Sequence, residues 1–354
     1  MAIKSALLSL LLLNILLALN ECASSQSPKK GSAEIFKISR DTIHVDIEGM
    51  LTCGLLINNK YYTFYAVRDP NSTLPIKKCY IISTNGKIVK EIKVPEELHQ
   101  DVYSYLRFWD GHIIANSDEY ENKSTYFLDE EKDEFIKQAA YIKVPVYEDN
   151  SYQVTGECRG EFGSTTYFKS KTTGRTYSVS SGCPVVINKL DDKYLIDQTD
   201  LVKITDTAKK GNGLRDVIPV QSESFFSTGG FFSHFYIATS FLANGNLYHI
   251  YNTNNSELKL LANKEQLAVT KDTVKIGTII GGKFNTVYTL QDHIHIALQQ
   301  QLSPDCQVCT FHTEERITVG FKKDIPPYKE AKYGFIEIKG NEIKIHYFLS
   351  KKAG

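Results

Sequence analysis

Three short stretches of this chain place residues with chemical potential close together. Cys306-Gln307-Val308-Cys309 has the spacing of redox dithiols, in which one thiolate is stabilised at a helix N-terminus. Ser303-Pro304-Asp305 and the strand-like flanks argue for a stapled turn instead. A zinc site there would need a second pair of ligands, and His312 alone does not supply it. His293-Ile294-His295, read as a strand, puts both imidazoles on one face about 7 Å apart. With no recognisable carboxylate or third histidine beside it, the pair reads as surface or half-buried rather than as a metal centre. Ser233 and His234 close a glycine-containing stretch that begins at Ser227, but adjacent strand residues point to opposite faces and cannot easily share a proton. The stretch reads as a loop between repeats.

No glycine-flanked serine elbow and no phosphate-cradling loop is present. The expectation is therefore no local catalytic set, no metal and no cofactor. The acidic stretches Asp118 to Glu121 and Asp129 to Glu134 lack the ligand alternation of a calcium loop and read as solvated turns. Lys plus Arg number 41 and Asp plus Glu 41, so no excess positive charge drives binding to nucleic acid or to anionic membranes. Asn71-Ser72-Thr73, Asn122-Lys123-Ser124 and Asn254-Asn255-Ser256 match the glycosylation pattern and support loop assignments at those places.

The N-terminus indicates the compartment. Lys4, the apolar run Ala6 to Leu19 and the small residues Ala23 and Ser24 have the layout of a secretory signal peptide over residues 1–24. The run is short for a bilayer of roughly 30 Å, and no later segment is long enough to span one. Cys22 is a candidate for lipid attachment, although Glu21 beside it suits simple cleavage better. Residues 25–32 read as a flexible lead and 33–354 as one extracytoplasmic domain. The six remaining cysteines form an even set for an oxidising compartment; six allow fifteen pairings, of which sequence proximity suggests Cys53–Cys79, Cys158–Cys183 and Cys306–Cys309.

These elements hang on a β-rich frame. Runs of Tyr, Phe, Ile, Val and Thr alternate with turn residues throughout, and the best helix, Glu96 to Leu106, gives at most two turns. A strand-turn-strand unit recurs at Tyr80 to Lys90, Tyr126 to Lys137 and Tyr167 to Tyr177. Degenerate copies follow at Leu201 to Thr207, Tyr248 to Leu260, Cys309 to Val319 and Phe335 to Tyr347. A second unit recurs at Phe108 to Ile114, Asn188 to Ile196, Leu242 to Tyr248 and Leu290 to Ile296, where Asp-Gly and Asn-Gly suit tight hairpins. Two hairpins per period of roughly 40–50 residues make a four-stranded sheet, and such sheets in series predict an all-β fold, a β-propeller of six or seven blades. A pair of β-sandwiches is the alternative.

The third repeat is the most distinctive: Glu161-Phe162-Gly163-Ser164-Thr165-Thr166-Tyr167-Phe168-Lys169, then Thr173-Gly174-Arg175, Cys183-Pro184 and Asn188 to Ile196. This phrase resembles uncharacterised exported β-propeller-like proteins of Bacteroidota-type bacteria, with Ser164 and Asp191-Asp192 where glycine is usual. The resemblance implies an envelope or secreted location and brings no active site.

Function is read from the fold. The leading expectation is a non-enzymatic binding or assembly protein whose loops take a protein, peptide or glycan, with Phe162, His234 and Trp109 as candidate contacts. The alternative is an extracytoplasmic hydrolase or lyase with its site in the central funnel.

Overall fold

A computed structural model of the chain describes residues 35–68, 70, 75–99, 104–117, 123–158, 164–181, 187–196, 200–205, 217–226, 235–253, 256–260, 266–270, 273–290, 310–312, 317–323 and 332–350. Residues 38–354 form one compact unit. Its six main sheets are arranged as a six-bladed β-propeller. The sandwich alternative and the seventh blade are thereby excluded.

Blade 1 consists of β2 (Met50–Ile57), β3 (Lys60–Val67), β4 (Ile76–Ser83) and β5 (Ile88–Ile92). Blade 2 consists of β6 (Ser104–Trp109), β7 (His112–Ser117), β8 (Ser124–Asp129) and β9 (Glu134–Lys137). Blade 3 consists of β10 (Tyr147–Glu148), β11 (Tyr152–Cys158), β12 (Ser164–Ser170) and β13 (Thr176–Ser181). Blade 4 takes β14 (Asn188–Leu190), β15 (Lys193–Ile196), β16 (Asp200–Val202) and β18 (Ser222–Ser224). Blade 5 takes β19 (Phe235–Ala243), β20 (Asn246–Thr253), β23 (Thr273–Ile280) and β24 (Lys283–Thr289). Blade 6 takes β25 (Thr310–His312), β26 (Ile317–Lys323), β27 (Lys332–Lys339) and β28 (Glu342–Ser350), with β1 (Lys37–Val45) beside β28.

Two further segments depart from the simple meander. β17 (Val217–Pro219) pairs in parallel with β13, and the chain then runs on into β18 to pair with β16. One extended stretch thus joins the outer edges of blades 3 and 4. β21 (Ser256–Leu260) and β22 (Gln266–Thr270) form a separate ribbon between β20 and β23. The expected hairpin from Tyr248 to Leu260 is therefore corrected: its two halves belong to different sheets, because β20 pairs with β23.

The expected hairpin over Leu201 to Thr207 is corrected as well, since β16 pairs with the distant β18, and Leu290 to Ile296 lies beyond the described residues after Leu290. Tyr80 to Lys90, Tyr126 to Lys137, Tyr167 to Tyr177 and Phe335 to Tyr347 are the outer hairpins of blades 1, 2, 3 and 6. Of the helix expected over Glu96 to Leu106 the described residues show the turn α1 (Glu96–His99), and Leu106 lies buried on β6 instead. Its side chain fills the blade 1–blade 2 core with Cys53, Phe64, Ala115 and Phe135, and that burial outweighs local helical preference. Several tight turns explain the hairpin register. Asn58-Asn59, Asp110-Gly111, Asn244-Gly245 and Gly281-Gly282 all have both central φ angles between 49° and 76°, the positive-φ pair that matches the twist of two-residue hairpins.

Aromatic rings carry the core. Tyr61, Phe335 and Phe348 pack mutually at the blade 6–blade 1 seam, with Tyr61 edge-on to Phe348 at 4.9 Å between centroids. Gly54 on β2 lies directly under the Phe335 ring, and a Cβ there would overlap it. Gly54→Ala should therefore force the two blades apart and cost about 1–3 kcal/mol. Urea unfolding would report it as a lower midpoint.

Candidate functional site

In an antiparallel meander successive connections alternate between the two ends of the blade. At one end lie the short turns, among them 58–59, 110–111, 149–151, 191–192, 244–245, 281–282 and 340–341. The opposite end sends out the longer connections: 68–75, 93–103, 118–123, 138–146, 159–163, 225–234, 254–272, 290–309 and 324–331. Connection 203–221, which carries β17, is long at the short-turn end, and 197–199 is short at the other.

Several of the buried polar side chains gather at the long-connection end. Lys77, second residue of β4 and 7% exposed, donates from Nζ to the Ser104 carbonyl at 3.3 Å and also bonds its hydroxyl. The Lys77 ammonium lies 5.4 Å from the centre of the Phe64 ring. Asn116 Nδ2 donates to the Ile142 carbonyl at 3.0 Å, and Thr125 Oγ1 accepts the Ile142 amide at 2.8 Å. Both bonds seat the connection 138–146 between blades 2 and 3. Asn188, first residue of β14, donates to the Ser240 carbonyl at 2.9 Å and ties blade 4 to blade 5.

Deeper in blade 5, Ser240 and His249 face each other across β19 and β20, with Oγ 2.8 Å from Nδ1. The pair has the composition of a nucleophile and its base, but both are buried, at 0% and 1% exposure. Burial pushes the imidazole down to about 4, so it is held neutral at pH 7. The pair stabilises the blade and is closed to substrate.

The short-turn end is built from charge pairs. Asp149 accepts from the Ser151 and Tyr152 amides, the Tyr194 hydroxyl at 3.0 Å and Lys189 Nζ at 2.8 Å. Partial burial alone would raise its carboxyl. Lys189, the two amides and Tyr194 outweigh that and hold it at about 2. Trp109 Nε1 donates to Glu148 Oε2 at 3.1 Å, and Glu148 also pairs with Lys171 at 2.8 Å. Partial burial opposes ionisation of Glu148, yet Lys171 and Trp109 keep its carboxyl below the ordinary range. Trp109 is therefore an inter-blade tie at the end with the short turns. Phe162 and His234, the other two candidate contacts, lie outside the described residues, as do His293, His295, Ser233, Cys22, and the 118–121 acidic stretch. Asp129 to Glu134 is the exposed β8–β9 turn, as expected, and Asp129 accepts the Glu131 and Lys132 amides.

The Cys53–Cys79 pairing is corrected. Both side chains are buried and no disulfide joins them. Cys53 on β2 and Cys79 on β4 each stand opposite Phe64 on the intervening β3, which separates their Cα atoms by two strand spacings, about 9–10 Å. A disulfide needs less than about 7 Å. Cys53 Sγ instead accepts the Leu106 amide at 3.2 Å, and burial pushes the Cys79 thiol up. Cys183, Cys306 and Cys309 are outside the described residues, as is the Cys158 side chain. Among the described residues no group of histidine, cysteine and carboxylates has metal-binding proximity, and no helix is long and apolar enough to cross a membrane.

No protein-family model and no curated protein matches the chain. It aligns with the computationally designed Ika8 protein at 10% identity over 85% of this chain and 88% of that one, TM-score 0.35. An endo-1,4-β-xylanase from Bacteroides thetaiotaomicron aligns at 12% identity over 84% and 95%, TM-score 0.32. A thermostable family-43 glycoside hydrolase aligns at 10% identity over 84% and 94%, TM-score 0.30.

Two stability measurements check these assignments. His249 has its proton affinity depressed by folding, so its contribution is complete above the unfolded value near 6.5 and is lost as pH falls toward 4. Wild-type protein should lose about 3 kcal/mol more between pH 7 and 4 than His249→Gln does, read from denaturant midpoints. Asp149→Asn should cost on the order of 1–2 kcal/mol at pH 7 after solvent screening. Lys189→Met should remove most of that difference in a double-mutant cycle.

Proposed function

We propose that this chain is an extracytoplasmic, non-enzymatic binding module that takes a protein, peptide or glycan on the end of the propeller bearing the long connections. The observation that carries this reading is the asymmetry between the two ends. One is largely closed by turns whose charged residues neutralise one another, as Asp149 does with Lys189 and Glu148 with Lys171. From the other, most of the longer connections leave a rigid frame braced by Lys77, Asn116 and Asn188. Long connections on a rigid frame are where recognition is usually carried. Catalysis would want an ionisable group that a substrate reaches. Of the described candidates, Ser240 and His249 are shut in the blade and Asp149 is saturated with donors. The charged start, apolar run and small residues of 1–24, which have the layout of an export signal, support the compartment.

A printed oligosaccharide array and a displayed peptide library supply the probes. For whichever probe binds, Phe162→Ala and His234→Ala should weaken affinity about tenfold or more, since an interface anchor is worth more than about 1.4 kcal/mol. Trp109→Ala, at the short-turn end, should leave affinity within about twofold. Loss of binding on Trp109→Ala alone would move the site to the other end. Cleavage of a probe by the wild-type protein would replace the binding reading with the hydrolase one.

A further inference from the structure

Blade 6 has four strands, β25 to β28, before β1 joins its outer edge as a fifth. Of the nine residues of β1 only Ile43 and Val45 are buried. Both belong to the blade 6–blade 1 core, but the two blades also meet directly without them, Tyr61 on β3 packing against Phe335 on β27 and Phe348 on β28. β1 is also fastened by a polar clamp. Asp41 Oδ1 lies 2.7 Å from Nδ1 of His346, whose ring is 2% exposed, and Glu337 Oε2 lies 3.0 Å from Nε2. The Tyr61 hydroxyl also approaches Nδ1, at 3.1 Å, and Lys344 Nζ is 3.8 Å from Asp41.

The partners of His346 divide by element. Glu337 is on β27 and Tyr61 on β3, whereas Asp41 alone comes from β1. Without Asp41 the ring keeps a partner at each nitrogen, Tyr61 at Nδ1 and Glu337 at Nε2, so neither ring nitrogen is orphaned. We propose that β1 is a detachable strap: it pairs with the outer edge of β28, where the Asp41–His346 bond, Ile43 and Val45 add to the backbone ladder, and it lifts away as a unit while the six-bladed ring stays closed.

Peptide-resolved hydrogen exchange on the full chain tests this. In the wild-type protein residues 38–45 should exchange through an opening that β26 and β27 do not share. Asp41→Asn, at a side chain 40% exposed and so safe for folding, should raise exchange of residues 38–45 about tenfold and leave β2, β26 and β27 unchanged. Ile43→Ala should act in the same direction. A rise shared equally by β2, β26 and β27 would show that β1 is integral to ring closure and overturn the proposal. Exchange of residues 38–45 unchanged in both variants would overturn it as well, since nothing would then tie the clamp to the strap.

Discussion

Each blade of this molecule has two faces that carry apolar side chains, and a single four-stranded sheet cannot bury both. The faces are covered only by the blades on either side, so closing the ring is the condition on which every other contact rests. The seams meet it in different ways. Blade 6 against blade 1 is an aromatic cluster around Tyr61, Phe335 and Phe348, with Gly54 clearing room for a ring. Blades 1 and 2 share Phe64, Leu106 and Phe135, and blades 3 and 4 share Phe168, Tyr177 and Tyr194.

The blade 2–blade 3 seam is more polar. Arg107 stacks on Tyr105 and donates to the Val144 carbonyl, Asn116 and Thr125 hold Ile142, and Trp109 reaches Glu148. Hydrogen bonds of this kind contribute little net stability when made but are costly to leave unmade, so they specify how the blades meet more than they strengthen the contact. The same principle governs the buried Lys77 and the Ser240–His249 pair. The molecule places these polar groups where strands must be aligned with their neighbours, and the exposed charge pairs at the turns do the same at the surface.

Much of this frame is legible in the residue order. Alternation of large β-branched and aromatic residues fixes strand faces, and Asp110-Gly111 and Asn244-Gly245 announce hairpins because few residues tolerate two successive positive φ angles. Asn58-Asn59 gives the same signal in blade 1 and is easily missed, since neither residue is glycine. The ribbon β21–β22 and the parallel β17 are not legible: both are insertions outside the period, the ribbon pairing with itself and β17 with β13. Leu106 was read as helical from its neighbours, and burial in a core made largely by another blade decided otherwise.

The residues that tie distant parts together carried no local signal at all. His346 follows Glu342 and Lys344 in the polar alternation of β28, and its partners Tyr61 and Asp41 stand 285 and 305 positions away. Cys53 and Cys79 looked like a pair from their spacing, but an intervening strand holds them apart. By itself, then, the sequence determined the strand-rich class, the repeat and most tight turns, because those depend on side-chain alternation and on φ preferences within a few residues. The tertiary structure decided the blade number, the seam chemistry and the fate of the described histidines and of Cys53 and Cys79, because these depend on which strands the ring brings together.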